Sequence, residues 1–201
     1  GKYGNRAMMK KTVLASAIAL TLASSFTQAQ EPEKKLYLGV NFGFGSGDET
    51  IEFDDEEYED DLDVSTIRLS AGLILDERLR LEGSYNTYDF EFDGGGESDV
   101  NILEFDGILL FPSDEITPYI TGGIGIATYE DTGEFIDDGD DLGGLSFQLG
   151  GGVIFSAADN FELDASYRMK AIVWETVEVF ETDFETSNSL SVISIGGRVL
   201  F

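Results

Sequence analysis

The residues that could do chemistry are ten charged side chains, set at alternate positions in segments that are otherwise apolar at every second residue. Five are cations and five are carboxylates. They are Arg68, Arg80, Glu82, Glu104, Asp106, Glu162, Asp164, Arg168, Lys170 and Arg198. Residues of one parity in a β-strand face the same side, so all ten are expected on one face. Such a set fits mutual ion pairing, a path for protons or ions, or a carboxylate pair for hydrolysis.

Catalysis is the least favoured of these uses. The chain has no histidine and no cysteine, which excludes Ser–His catalysis, a disulfide framework and a thiolate metal site. The run Gly150-Gly151-Gly152 lies within a predicted strand and precedes no helix, so it indicates close packing rather than a phosphate loop. We therefore expect a protein that is not an enzyme and that needs no cofactor for a reaction.

The elements that must position the charged residues are eight alternating segments. They cover residues 35–46, 64–76, 79–93, 100–112, 118–130, 145–156, 161–180 and 189–201. Each is long enough to cross a bilayer as a tilted strand. Short connections alternate with mostly longer ones rich in glycine and acids, at 48–63, 94–99, 131–144 and 181–188. This pattern predicts an all-β fold, an eight-stranded antiparallel up-and-down transmembrane β-barrel, because closure leaves no unpaired edge in lipid.

A soluble β-sandwich or lipocalin-like barrel would show the same alternation with its apolar face inward. The aromatic residues favour a membrane protein, because they gather near both ends of the predicted strands, as in the two interfacial girdles of a membrane barrel. These residues are Phe111, Phe161 and Phe201 at one end, and Phe44, Tyr85 and Phe147 at the other.

The N-terminal residues predict export. Residues 8–29 resemble a signal peptide, with Lys10 and Lys11 before a short apolar run and Ala29 at the expected cleavage position. The run is shorter than the roughly 20 residues of a membrane-spanning helix. We interpret residues 1–7 as a tag or upstream residues and residues 30–201 as the barrel domain.

Three patches then carry a family resemblance. They are Pro118-Tyr119-Ile120-Thr121-Gly122-Gly123-Ile124-Gly125, Gly151-Gly152-Val153 leading into Asn160–Arg168, and the end Gly197-Arg198-Val199-Leu200-Phe201. They resemble the small bacterial outer-membrane β-barrel domains that include the OmpA membrane domain and OmpX. The resemblance implies a monomer in the Gram-negative outer membrane, among lipid and lipopolysaccharide, with Phe201 as the signal for the barrel assembly machinery. The chain differs in its acidity, and we expect no peptidoglycan-binding domain of the OmpA kind after Phe201.

A barrel of eight strands has a lumen narrow enough for side chains to fill. Because five cations and five carboxylates would share that space, we expect them to pair and plug it, with Arg198 near Glu162, Asp164 or Asp106. The expected function is a structural or surface-interaction protein. The alternative is a narrow pore or conduit for small or hydrophobic molecules.

The acidity of the chain is concentrated at one predicted end. Residues 48–63 hold eleven acids and residues 130–141 hold seven, which predicts acidic extracellular loops. Three interpretations stay open: solvated tips, Ca²⁺ or Mg²⁺ binding, and a saline habitat. The densest candidate for a cation is Asp137, Asp138, Asp140 and Asp141. Because nucleic acid is also negatively charged, we do not expect it to be a binding partner of this surface. Alternation continues past the expected membrane edge, through Tyr88, Phe90 and Phe92 in one segment and through Trp174, Val177 and Phe180 in another. This predicts a protruding sheet whose edge could pair with a surface protein partner.

Overall fold

Nine strands follow one another along the part of the chain that the structure describes. The computed structural model describes residues 35–53, 56–92, 97–113, 116–129, 142–175, 177–179 and 182–201. The strands are β1 Leu36–Phe53, β2 Glu56–Ile74, β3 Leu79–Phe92, β4 Glu97–Leu110, β5 Ile116–Tyr129, β6 Leu142–Ala158, β7 Phe161–Trp174, β8 Val177–Val179 and β9 Thr182–Leu200. These residues include no helix long and apolar enough to cross a membrane. The predicted signal peptide and upstream residues lie outside them.

The sheet closes on itself. Each of β1 to β6 pairs antiparallel with the next strand, β7 pairs with β9, and β9 pairs back to β1. The short β8 pairs with the start of β9. At the end that we call lower, the Lys35 amide donates to the Phe201 carbonyl at 3.0 Å, and the Phe201 amide donates to the Leu36 carbonyl at 2.8 Å. The predicted eight-stranded up-and-down barrel is confirmed.

The predicted acidic loop at 48–63 is wrong in extent. β1 continues to Phe53 and β2 begins at Glu56, in unbroken register through Asp48 opposite Asp61. The strands continue because alternation continues: Leu62 and Val64 point inward and are buried, while Asp61 and Asp63 are exposed on the outer face. Likewise β4 begins at Glu97 and β9 at Thr182, and the predicted strand 161–180 divides into β7 and β8. Most of 131–144, including the candidate cation ligands, lies outside the described residues.

The inner and outer faces exchange polarity along the strands. In the lower part of β3, Arg80 and Glu82 are buried inside while Tyr85 is exposed outside. In its upper part Phe90 is buried inside while Asp89 and Glu91 are exposed outside. The lower barrel is therefore apolar outside and charged inside, as lipid requires. The upper barrel has the apolar interior and polar exterior of a water-soluble protein.

The upper interior is filled by a hydrophobic cluster, which we call the upper cluster. Its buried members are Leu62, Val64, Tyr88, Phe90, Val100, Ile102, Ala127, Ile172, Trp174, Leu190 and Val192. The Trp174 ring lies edge-on to Tyr129 at 5.9 Å, and its Nε1 donates to Asn188 Oδ1 at 2.6 Å. Above it, partial burial raises the pKa of Glu49, which accepts a 3.5 Å hydrogen bond from Asn188. The upper cluster thus packs apolar side chains across the upper interior.

The predicted protruding sheet with a free edge is wrong for Tyr88, Phe90 and Trp174, whereas the predicted continuation beyond Trp174 is present as β8, which pairs with β9. These three side chains point into the barrel and are buried in the upper cluster. β3 is also paired on both sides up to its end, with β2 through Phe92 and with β4 through Glu91. The aromatic residues extend the barrel upward rather than opening it.

Candidate functional site in the barrel interior

All ten charged residues singled out from the sequence lie inside the barrel, with exposed fractions of 8 % or less. They come from β2, β3, β4, β7 and β9. β7 alone supplies four, at Glu162, Asp164, Arg168 and Lys170, because its inward positions alternate with lipid-facing ones such as Leu163. The strands therefore bring the whole set into one charged layer.

Arg68 is the centre of this layer. Its Nη2 lies 2.7 Å from Glu82 Oε1 and 2.6 Å from Asp106 Oδ2, and its Nη1 lies 3.5 Å from Glu104 Oε2. Glu82 and Asp106 stand opposite each other on β3 and β4, where two like charges would repel. The planar guanidinium can bind several carboxylates at once, which a single ammonium cannot do with fixed geometry. Arg68 therefore compensates the repulsion that the register imposes.

Arg198 links a second group of residues. Its Nη2 lies 3.1 Å from Asp164 Oδ2, and its Nε lies 3.9 Å from Glu82 Oε2. The Tyr119 hydroxyl also donates to Asp164 at 2.8 Å, and the Tyr37 hydroxyl donates to Glu82 at 2.8 Å. The guanidinium carbon lies 5.3 Å from the centre of the Tyr37 ring and 5.8 Å from that of Tyr119, within range of cation–π attraction. Of the three partners expected for Arg198, Asp164 is the one it contacts.

Lys170 forms the top of the charged layer. Its Nζ lies 2.6 Å from Glu104 Oε1 and donates to the Tyr88 hydroxyl at 2.5 Å. Glu104 also accepts hydrogen bonds from Asn86 at 2.9 Å and from Ser146 at 3.3 Å. Because Tyr88 belongs to the upper cluster, this side chain joins the charged layer to the apolar one.

The bottom of the charged layer is a separate pair. Arg80 and Glu162 make two parallel hydrogen bonds, at 2.7 and 2.9 Å, across 82 residues of sequence. Close by is a second apolar group, which we call the lower cluster, formed by Ile108, Leu110, Tyr119 and Ile154. Bidentate geometry makes such a pair more specific than a single contact. The lower cluster therefore lies beside the lower part of the charged layer, with Ile108 opposite Arg80 and Ile154 opposite Asp164.

Arg168 differs from the other four cations. None of the ion pairs seen among the described residues includes it, although its side chain is buried. Its Nε has no hydrogen-bond partner, and neither has the Nε of Arg68 or the Oγ1 of Thr66. Buried donors are normally satisfied, so these atoms call for a physical reason.

The sequence did not single out several interior partners. Tyr37, Asn41, Tyr119 and Gln148 all bind carboxylates of the charged layer, with Gln148 donating to Asp106 and Asn41 to Asp164 at 2.9 Å. Alternation in the sequence places these residues on the inner face, but it does not tell which side chains meet across the lumen. Among the described residues, no group of three or more acids is arranged to hold a metal ion.

Gly123 gives the charged layer room. It stands opposite Asp106 on β5, and a Cβ there would meet the Asp106 carboxylate and would lie 2.5 Å from the Phe105 carbonyl. We expect Gly123→Ala to displace Asp106 from Arg68 and to lower the free energy of unfolding in lipid vesicles by about 1–3 kcal/mol. The matched control is Gly83→Ala, where a Cβ meets nothing within 4 Å. Equal stability of the two variants in urea titrations would contradict this.

Comparison with known structures supports the same fold. Neisserial surface protein A is 19% identical, with a TM-score of 0.53, covering 83% of this chain and 97% of that one. Outer membrane protein AlkL is 13% identical, with a TM-score of 0.59, and the match covers 87% of this chain and 93% of AlkL. The outer membrane enzyme PagL also matches, at 16% identity and a TM-score of 0.44 over 80% and 98%, a likeness too weak to assign an activity. At these identities the likeness is one of fold.

The sequence itself gives the family. Among curated proteins, none matches this chain. A family model described as "Outer membrane protein beta-barrel domain" matches residues 15–189, most of its length. Together with the closed eight-stranded barrel, this match places the chain in the outer membrane protein beta-barrel domain family.

Proposed function

We propose that this protein is a structural and surface-interaction protein of the Gram-negative outer membrane, with a lumen plugged by its own charged residues. The observation that carries the proposal is the Arg68 network together with the two apolar clusters. A charged layer alone could still admit water and ions. With the upper cluster packed above it and the lower cluster beside its lower part, it favours a closed barrel over a conduit.

The outer face supports placement across a membrane. Along β4 and the residue that follows it, the lipid-facing side chains run from Leu103, 61% exposed, to Phe111, 50% exposed, and the polar part begins above them at Asn101. Those eight steps measure about 27 Å along a strand. At a tilt of about 40° they cover about 20 Å of height, close to the roughly 25 Å apolar band of such barrels. The upper barrel would then stand in water on the outside of the cell.

The proposed surface for interaction is the outer face of the upper barrel. Asp48, Asp61 and Asp63 line a groove there, together with Ser189 and Ser191. Neighbouring lipopolysaccharide is also anionic, so close contact would need bridging Ca²⁺ or Mg²⁺ or a cationic protein. The acids at 137–141 are proposed to add to this effect. No catalytic role is proposed, because the interior carboxylates of Glu82, Glu104, Asp106, Glu162 and Asp164 all have cationic partners.

Binding of the vesicle-embedded protein to lipopolysaccharide tests this surface. We expect binding in millimolar Ca²⁺ and its loss in chelator. The variant Asp61→Asn/Asp63→Asn is expected to weaken the Ca²⁺-dependent binding several-fold. The control, Glu77→Gln/Asp159→Asn, removes two exposed acids near the lower end and should bind like the parent. Equal binding by both variants would contradict the assignment of this surface.

A further inference from the structure

A small cavity lies between the charged layer and the upper cluster. Its volume is about 20 Å³. Arg68, Arg168 and Lys170 line it together with Thr66 and Tyr88, and the described residues around it include no carboxylate. A cavity of this size holds one water-sized sphere. It is too small for phosphate, sulfate or a carboxylic acid.

Three hydrogen-bond donors beside this cavity lack partners. Arg168 Nε, Arg68 Nε and Thr66 Oγ1 are all buried and unpaired in the described part of the chain. The neighbouring carboxylates are engaged elsewhere: Glu104 with Lys170, and Glu82 with Arg68 and the Tyr37 hydroxyl. A buried donor that forms no hydrogen bond costs about 1–3 kcal/mol of stability, and more where the group is charged.

We propose that this cavity binds one small monovalent anion of halide type, and size and charge select chloride as the physiological species. The anion accepts hydrogen bonds from the unpaired donors and neutralises Arg168, which forms no ion pair with a described carboxylate. A water molecule fits the same volume less well. It can accept only two hydrogen bonds and must place two hydrogens of its own, whereas a halide accepts from every donor and donates none.

Chloride-dependent unfolding tests the site. Urea titrations of the protein in zwitterionic vesicles would exchange chloride for methanesulfonate, which is too large for the cavity, at constant ionic strength. One site that binds only the folded state lowers the unfolding equilibrium constant about tenfold for each tenfold rise in chloride above its Kd. We expect that slope in the parent, and in the control Arg78→Gln, which removes an exposed cation of the lower turn.

Arg168→Gln is expected to abolish the chloride dependence. If this variant does not fold, Thr66→Val removes a smaller donor and should reduce the dependence instead. Crystals grown with bromide should show an anomalous peak between Arg68, Arg168 and Lys170. The same slope in the parent and Arg168→Gln, no slope in the parent, or a water in place of bromide would each overturn the proposal.

Discussion

Replacing Arg68 with methionine is expected to lower the free energy of unfolding in lipid vesicles by about 3–5 kcal/mol, the usual cost of removing one partner from a buried ion pair. The cause is that Glu82 and Asp106 would then face each other, buried and without the guanidinium that lies 2.7 and 2.6 Å from them. Urea unfolding, followed by the shift in gel mobility between folded and unfolded barrel, measures the loss.

Two further variants separate charge from packing. Arg78→Met removes an exposed arginine in the turn after β2 and is expected to change stability by less than about 0.5 kcal/mol. The triple variant Arg68→Met/Glu82→Gln/Asp106→Asn removes the opposed charges as well, so it should recover much of the stability lost by Arg68→Met alone. If Arg68→Met lowered the free energy of unfolding no more than Arg78→Met does, Arg68 would not be compensating repulsion between Glu82 and Asp106.

Truncating Trp174 to alanine is expected to cost about 3–5 kcal/mol, as for large aromatic residues in protein cores. Trp174 is 6% exposed, packs edge-on against Tyr129 and donates a hydrogen bond to Asn188. Removing it would leave a cavity in the upper cluster and an unpaired amide oxygen. The same urea titration measures the change.

The matched control for this prediction is the preceding residue on the same strand. Val173 points outward and is 52% exposed, so Val173→Ala should cost well under half as much as Trp174→Ala. Similar losses in the two variants would contradict the inward orientation of Trp174 and, with it, the soluble-protein interior of the upper barrel.

Much of the fold could be predicted because side chains of a strand alternate between its two faces, and this alternation can be read from neighbouring residues alone. Alternation assigned Arg68, Glu82 and Asp164 to the inner face without any knowledge of pairing. It could not tell that Arg80 meets Glu162 across the lumen, since that contact depends on the stagger of strands 82 residues apart in sequence. The same limit kept Tyr37 and Gln148 from being assigned as carboxylate partners.

The upper barrel was misinterpreted for a different reason. Acid-rich composition at 48–63 suggested a loop, yet Leu62 and Val64 kept the alternation that a strand needs. Likewise Tyr88 and Phe90 are inward residues of β3 whose outward neighbours are Asp89 and Glu91. One signal in the sequence could have revealed this. Going up β2 and β3, the inward positions change from charged to apolar while the outward positions change from apolar to acidic, and this change marks the boundary between lipid and water.

Single-channel recording in planar bilayers tests the closed lumen most directly. With the ion-paired side chains filling the lower barrel and the upper cluster packed above them, the parent protein is predicted to show no stable conductance steps at moderate voltage in molar salt. Large, long-lived and ohmic steps, present in the parent and proportional to salt concentration, would contradict a plugged barrel and would favour a conduit across the outer membrane instead.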